Sequence, residues 1–146
     1  MTSAPATSDP FMLKPAGLPA PLGLYSHASQ VAPGSELVFV AGQLAVGADG
    51  QIVGPDDFQA QARQAFANVR AVLAGAGMGP EHVAKFTTYL SAAAFVEPFY
   101  QVREKVFADW YPGGSFPPNT LLVVARLVQP DFMVEIEAVA ARAPGA

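Results

Sequence analysis

Two kinds of apolar spacing alternate along this chain of 146 residues. Between positions 56 and 76, Phe58, Ala62, Ala65, Phe66, Val69, Val72, Leu73 and Ala76 recur every three or four residues, which predicts a long amphipathic helix. Asp56 or Asp57 offers an N-cap oxygen, and "GAGMGP" supplies glycines to stop it. Phe99, Val102 and Val106 repeat the spacing in a second helix over about 96–108, where Pro98 fits only the first turn. The other apolar runs are short and rich in β-branched residues. They predict strands over 25–31, 37–46, 83–90, 119–127 and 133–141, with a turn at Asp49-Gly50.

The order β-β-α-β-α-β-β describes an α+β domain, a β-sheet with two helices on one face. Yet "LVFVAGQL" and "TLLVV" are apolar on both faces, as strands covered on both sides are. A lone chain would leave a large apolar sheet face in water. The second face is therefore expected to be buried against further copies, in a closed homo-oligomer. Residues 1–16, rich in Pro, Ala, Ser and Thr, are expected to be a flexible arm, 17–142 a single domain and 143–146 a tail.

Composition narrows the function. Eight basic against twelve acidic residues give a net charge of −4, without the basic footprint that nucleic-acid binding needs. No cysteine is present, which excludes disulfides, thiolate catalysis and cysteine-based metal sites. His27 and His82 show no metal-ligand spacing. No apolar stretch approaches the roughly 20 residues of a membrane span, so no membrane partner is expected and a reducing cytoplasm is the expected compartment.

Chemistry concentrates in few places. Glu135 and Glu137 in "VEIEA" share one strand face with Cα atoms about 6.6 Å apart. Facing the oligomeric side and partly desolvated, they suit proton transfer; alternatively they are solvated or pair with Arg126 or Arg142. Tyr25 and His27 alternate on one face, either near a pocket or as ordinary half-buried and surface groups. Gly42-Gln43 lets the backbone approach a ligand, or marks a bulge. His82 is expected in a solvated turn, and Trp110 and Tyr111 in packing. Asn119 and Thr120 in "FPPNT" stand at the start of a buried strand, as a turn or as the lining of a site.

"GLYSHA" (23–28), "VAGQLAV" (40–46), "QARQAFANVRAVLAGAG" (61–77), "VAKFTTYL" (83–90), "FPPNT" (116–120) and "VEIEAVA" (134–140) occur in register across 17–142. Together they resemble the reactive intermediate deaminase (RidA/YjgF, L-PSP endoribonuclease-like) family. The resemblance implies a chorismate-mutase-like α+β fold, a mixed sheet assembled as a trimeric barrel. It also implies a homotrimer with a small-molecule ligand at subunit interfaces, and hydrolysis of enamines or imines such as 2-aminoacrylate with no cofactor. Tyr25 and Glu135 match archetypal catalytic positions, Glu135 as the group that activates water. Asn119 stands where the archetype holds the substrate carboxylate with an Arg, and Leu121 where a Cys often follows. Gly42, Gln43, Thr120 and Leu121 are expected to line the substrate site, with Asn119 polarising the substrate. Asn119 has no charge to neutralise a carboxylate, so a neutral carbonyl, amide or imine is expected and 2-aminoacrylate turnover is expected to be weak or absent. A metabolite-binding or regulatory homotrimer is the alternative.

Overall fold

The computed structural model describes residues 10–146. Eight strands and helices follow in the order β1 (Phe11–Leu13), β2 (Ala28–Gln30), β3 (Glu36–Gln43), α1 (Phe58–Gly75), β4 (Val83–Leu90), α2 (Val96–Trp110), β5 (Asn119–Val123) and β6 (Val134–Arg142). β3, β6, β4 and β5 form one sheet in that spatial order, antiparallel except for the parallel β4–β5 pair. β1 and β2 make a small antiparallel ribbon.

α1 starts where Asp57 accepts the Ala60 N–H at 3.0 Å. It ends in a reverse turn at Gly77 (φ +69°), where the Met78 N–H bonds the Leu73 carbonyl and buries Met78. Its apolar stripe, Phe58, Ala62, Ala65, Phe66, Val69 and Leu73, lies on β6 and β3. α2 packs beside it, and Phe66, Phe86, Phe99, Phe107 and Trp110 form one aromatic cluster between helices and sheet. Trp110 and Tyr111 do pack, and the Tyr111 hydroxyl donates to the Pro80 carbonyl.

Alternation along β6 sorts the two faces. Val134, Ile136, Ala138 and Ala140 enter the core, while Glu135, Glu137 and Val139 point away from the helices. Leu37 and Phe39 join them on that uncovered face, with Phe39 75% exposed, and so does Leu122 on β5.

Several expectations need correction. The strand expected over 25–31 shortens to Ala28–Gln30, because the backbone from Gly23 to His27 is held by turns and by Ser26 donating to the Phe116 carbonyl. Residues 11–13, within the expected arm, pair with β2; positions 1–9 of that arm lie outside the described residues. β3 stops at Gln43 instead of 46, and Val46 bridges Ile52 across the Asp49-Gly50 turn. β5 ends at Val123, since β4, the neighbour it pairs with, ends at Leu90. His82 is mostly buried, its Nδ1 accepting the Gly79 N–H, and not solvated.

Candidate functional site

Asn119 begins β5, directly after the two prolines. Pro118 still contributes its carbonyl, which accepts the Phe86 N–H at 2.9 Å and starts the parallel pairing. Asn119 pairs with Phe86 and therefore points to the helix side, as does Leu121 beside the buried Thr88. The Thr88 hydroxyl donates to Asn119 Oδ1 at 3.0 Å. That bond occupies the amide oxygen and leaves the Asn119 NH2 group as a donor.

Asn119 and Leu121 line a cleft of about 550 Å³ with Gly23, Leu24, Tyr25 and the α2 residues Tyr100, Arg103 and Glu104. The Tyr25 hydroxyl accepts the Leu22 N–H at 3.3 Å, so its own hydrogen is available to a ligand. His27, in T-shaped contact with Tyr25, points elsewhere and bonds the Pro19 carbonyl at 2.8 Å. Thr120 points to the opposite face but lines an adjoining groove with Tyr25, Ser26 and Asn119.

Arg103 carries no signal among the sequence motifs. It is only 5% exposed, with its guanidinium over the Tyr100 ring at 4.7 Å. It sits four residues from both Phe99 and Phe107, so helical spacing alone puts it in the buried stripe, where a charge is unusual.

Glu135 and Gly42 form a second group on the uncovered sheet face. A bulge between Val40 and Gln43 brings the Gly42 backbone against β6, and any Cβ there would overlap the Glu135 carboxylate. Gly42-Gln43 is thus a bulge, and Gly42 is also where the backbone meets the acid. Gln43 donates its side-chain amide to the Ala41 carbonyl at 3.0 Å. Glu137 accepts the Tyr89 hydroxyl at 2.6 Å. Burial first, and the neighbouring Glu137 second, hold the Glu135 carboxyl above its ordinary range.

The pairing of these acids with Arg126 or Arg142 is not borne out. Arg126 bonds the Leu127 and Val128 carbonyls, and Arg142 pairs with Glu36 at 2.7 Å. Arg126 does share a shallow depression with Glu135, Glu137 and Tyr89. The residues expected to catalyse and to line the substrate site therefore divide. Tyr25, Asn119 and Leu121 gather on the helix side of the sheet edge, whereas Gly42 and Glu135 lie on the other face of the same sheet.

Comparison with known proteins agrees with this architecture. The endoribonuclease L-PSP family matches residues 17–142. A RutC family protein of Pyrococcus horikoshii is 35% identical over 123 residues, covering 84% of this chain and 90% of that protein. The Rid family protein YyfB of Yersinia pestis, of unknown function, superimposes with a TM-score of 0.78 at 30% identity, over 90% of this chain and 98% of that one. TdcF of E. coli with bound serine superimposes with a TM-score of 0.67 at 30% identity and the same coverage. With most of its length matched in sequence and in fold, the chain belongs to the endoribonuclease L-PSP family, the RidA/YjgF group of proteins.

Proposed function

We propose that this protein is a cofactor-independent small-molecule enzyme of the Rid type, hydrolysing or deaminating an imine, enamine or related carbonyl or amide compound. Glu135 carries this reading. A carboxyl seated against bare backbone at Gly42, partly desolvated and with its pKa held above the ordinary carboxylate range, is a stronger base than a solvated one and is suited to take a proton from water. Asn119, its oxygen tied to Thr88, presents N–H donors that would polarise a C=O or C=N group. Asn119 in place of a charged residue sets the specificity apart from that for 2-aminoacrylate, which would be turned over weakly or not at all.

Side chains on opposite faces of one sheet do not reach one small molecule. The complete site is therefore read as built between copies in a homotrimer, Tyr25 and Asn119 from one and Gly42 and Glu135 from its neighbour. The apolar, uncovered face at Leu37, Phe39 and Leu122 supports such an assembly. TdcF, similar over most of its length, holds an amino acid.

The test is release of keto product and ammonia from imines generated in place by an amino-acid oxidase. Hydrolysis above buffer that Glu135→Gln abolishes is expected; no rate for any imine would overturn the enzymatic reading. The separation of Asn119 from Glu135 favours a second reading, a binding protein without turnover. Ligand-induced thermal stabilisation without product would support it. Ribonuclease activity, which the family's name carries, fits poorly with a net charge of −4.

A further inference from the structure

Arg103 is the buried cation that the rest of the fold leaves unspent. A guanidinium keeps its charge at any ordinary pH and carries five N–H donors. Buried charges are ordinarily paired and hydrogen-bonded, because removal from water is costly. Yet among the described residues Arg103 has no ion pair, and its Nε has no hydrogen-bond partner. Glu104 borders the same cleft without pairing with it. The guanidinium carbon lies over the rings of Tyr100, Phe99 and Phe107, at 4.7, 5.7 and 6.0 Å from their centroids, and these faces do not replace an in-plane N–H acceptor.

The surroundings keep that edge open to the cleft. Gly23 passes so close that a Cβ there would stand 3.3 Å from Nη2, and Gly23, Tyr25 and Asn119 line the same 550 Å³ space. Apart from the Glu104 carboxylate at its border, the polar groups offered to it are donors: the Arg103 fork, the Tyr25 hydroxyl hydrogen, and the Asn119 amide whose oxygen accepts from Thr88. The remaining wall at Leu22, Leu24 and Leu121 is apolar. A concentration of donors around a buried cation recognises an anion, and a planar fork matches a carboxylate through two parallel bonds.

We infer that Arg103 is the specificity-determining residue of this cleft and selects ligands bearing a carboxylate. The charge missing at position 119 is supplied from α2, so the ligand is a small apolar-bodied acid and not a neutral amide. Its carboxylate lies on Arg103, and a carbonyl or imine atom accepts from Asn119. This narrows the proposed function to carbonyl or imine compounds that also carry a carboxylate and a body longer than that of 2-aminoacrylate, able to meet the apolar wall, in place of the neutral ones expected from Asn119 alone; it rests on the cleft being the substrate site.

Calorimetric titration with 4-methyl-2-oxopentanoate and with its primary amide separates the two charges at nearly constant shape. The wild type should bind the acid at least tenfold more tightly than the amide. Arg103→Met should bring the ratio close to one, Arg103→Lys should keep part of it, and Asn119→Ala should weaken both ligands while preserving it. Equal affinities in the wild type, or an unchanged ratio in Arg103→Met, would overturn the proposal. Should Arg103→Met not fold, thermal stabilisation of the wild type by acid against amide decides the matter without any variant. Binding is read apart from turnover: an acid preference without product defeats only the enzymatic reading, and product without an acid preference defeats only this one.

Discussion

Glu135 owes its chemistry to two neighbours that act in different ways. Gly42 gives it room, and Glu137 opposes its ionisation. Because burial and a like charge both disfavour the carboxylate, it loses its proton only at a pH above the ordinary 4.5. With Glu135 as base, kcat/KM should fall with decreasing pH through an apparent pKa above that value. Glu137→Gln should move this acid limb downwards, though not fully back, since burial is the larger cause. A limb at or below 4.5 in the wild type would remove Glu135 from that role. Gly42→Ala tests the seat itself. A new Cβ would overlap the Glu135 carboxylate and its Cγ, side-chain atoms that can swing away and not backbone, so the melting temperature should move little. Catalysis should nonetheless drop at least tenfold, since displacing a reacting group by about 1 Å can cost about a hundredfold. Equal loss of stability and activity would mean that Gly42 serves the fold alone. The acidic pair and Gly42 were legible from sequence because a strand fixes which residues share a face. Arg103 was not, although a charge four residues from Phe99 and from Phe107 is a signal that α2 would bury it.

At the scale of elements, Gln61 links α1 to the strand that bears the acid. Fully buried, it donates to the Gly54 and Asp131 carbonyls and accepts the Met133 N–H, one residue before β6 begins. Gln61→Leu keeps the volume but leaves three part-buried backbone groups without that partner. A loss of about 2–4 kcal/mol is expected, read as a lower denaturation midpoint at unchanged slope. An unchanged midpoint would mean that water replaces the amide. Helix α1 and strand β4 were readable from spacing because each has one face that must be buried and a clear stop signal. β1 was missed because a three-residue strand draws its pairing from β2 and not from any pattern of its own. The face of Asn119 was hidden for a related reason. "NTLLVV" is apolar on both sides, so its alternation has no polar phase to read, and only pairing with Phe86 and Thr88 decides it.

The division of the site between two sheet faces becomes a question about the whole molecule. Leu37 and Phe39 stand exposed on the face that carries Glu135, and soluble proteins seldom leave such a surface in water. Leu37→Asp with Phe39→Asp should convert a trimer to monomers in sedimentation velocity and abolish activity, while helix content is retained. A wild type that sediments as a monomer would refute the assembly. A stricter consequence follows for the site. Glu135→Gln and Asn119→Ala should each be inactive alone. When the two are dissociated, mixed in equal amounts and reassembled, a neighbouring pair can present the intact Asn119 of one copy to the intact Glu135 of the other. Random mixing around a cyclic oligomer makes about a quarter of the sites whole, so activity should return to about that fraction. If both residues act within one chain, every site contains one defect and mixing restores nothing. Opposite faces of one sheet make recovery the expected result, because no rearrangement short of unpairing β5 from β4 would turn Asn119 towards Glu135.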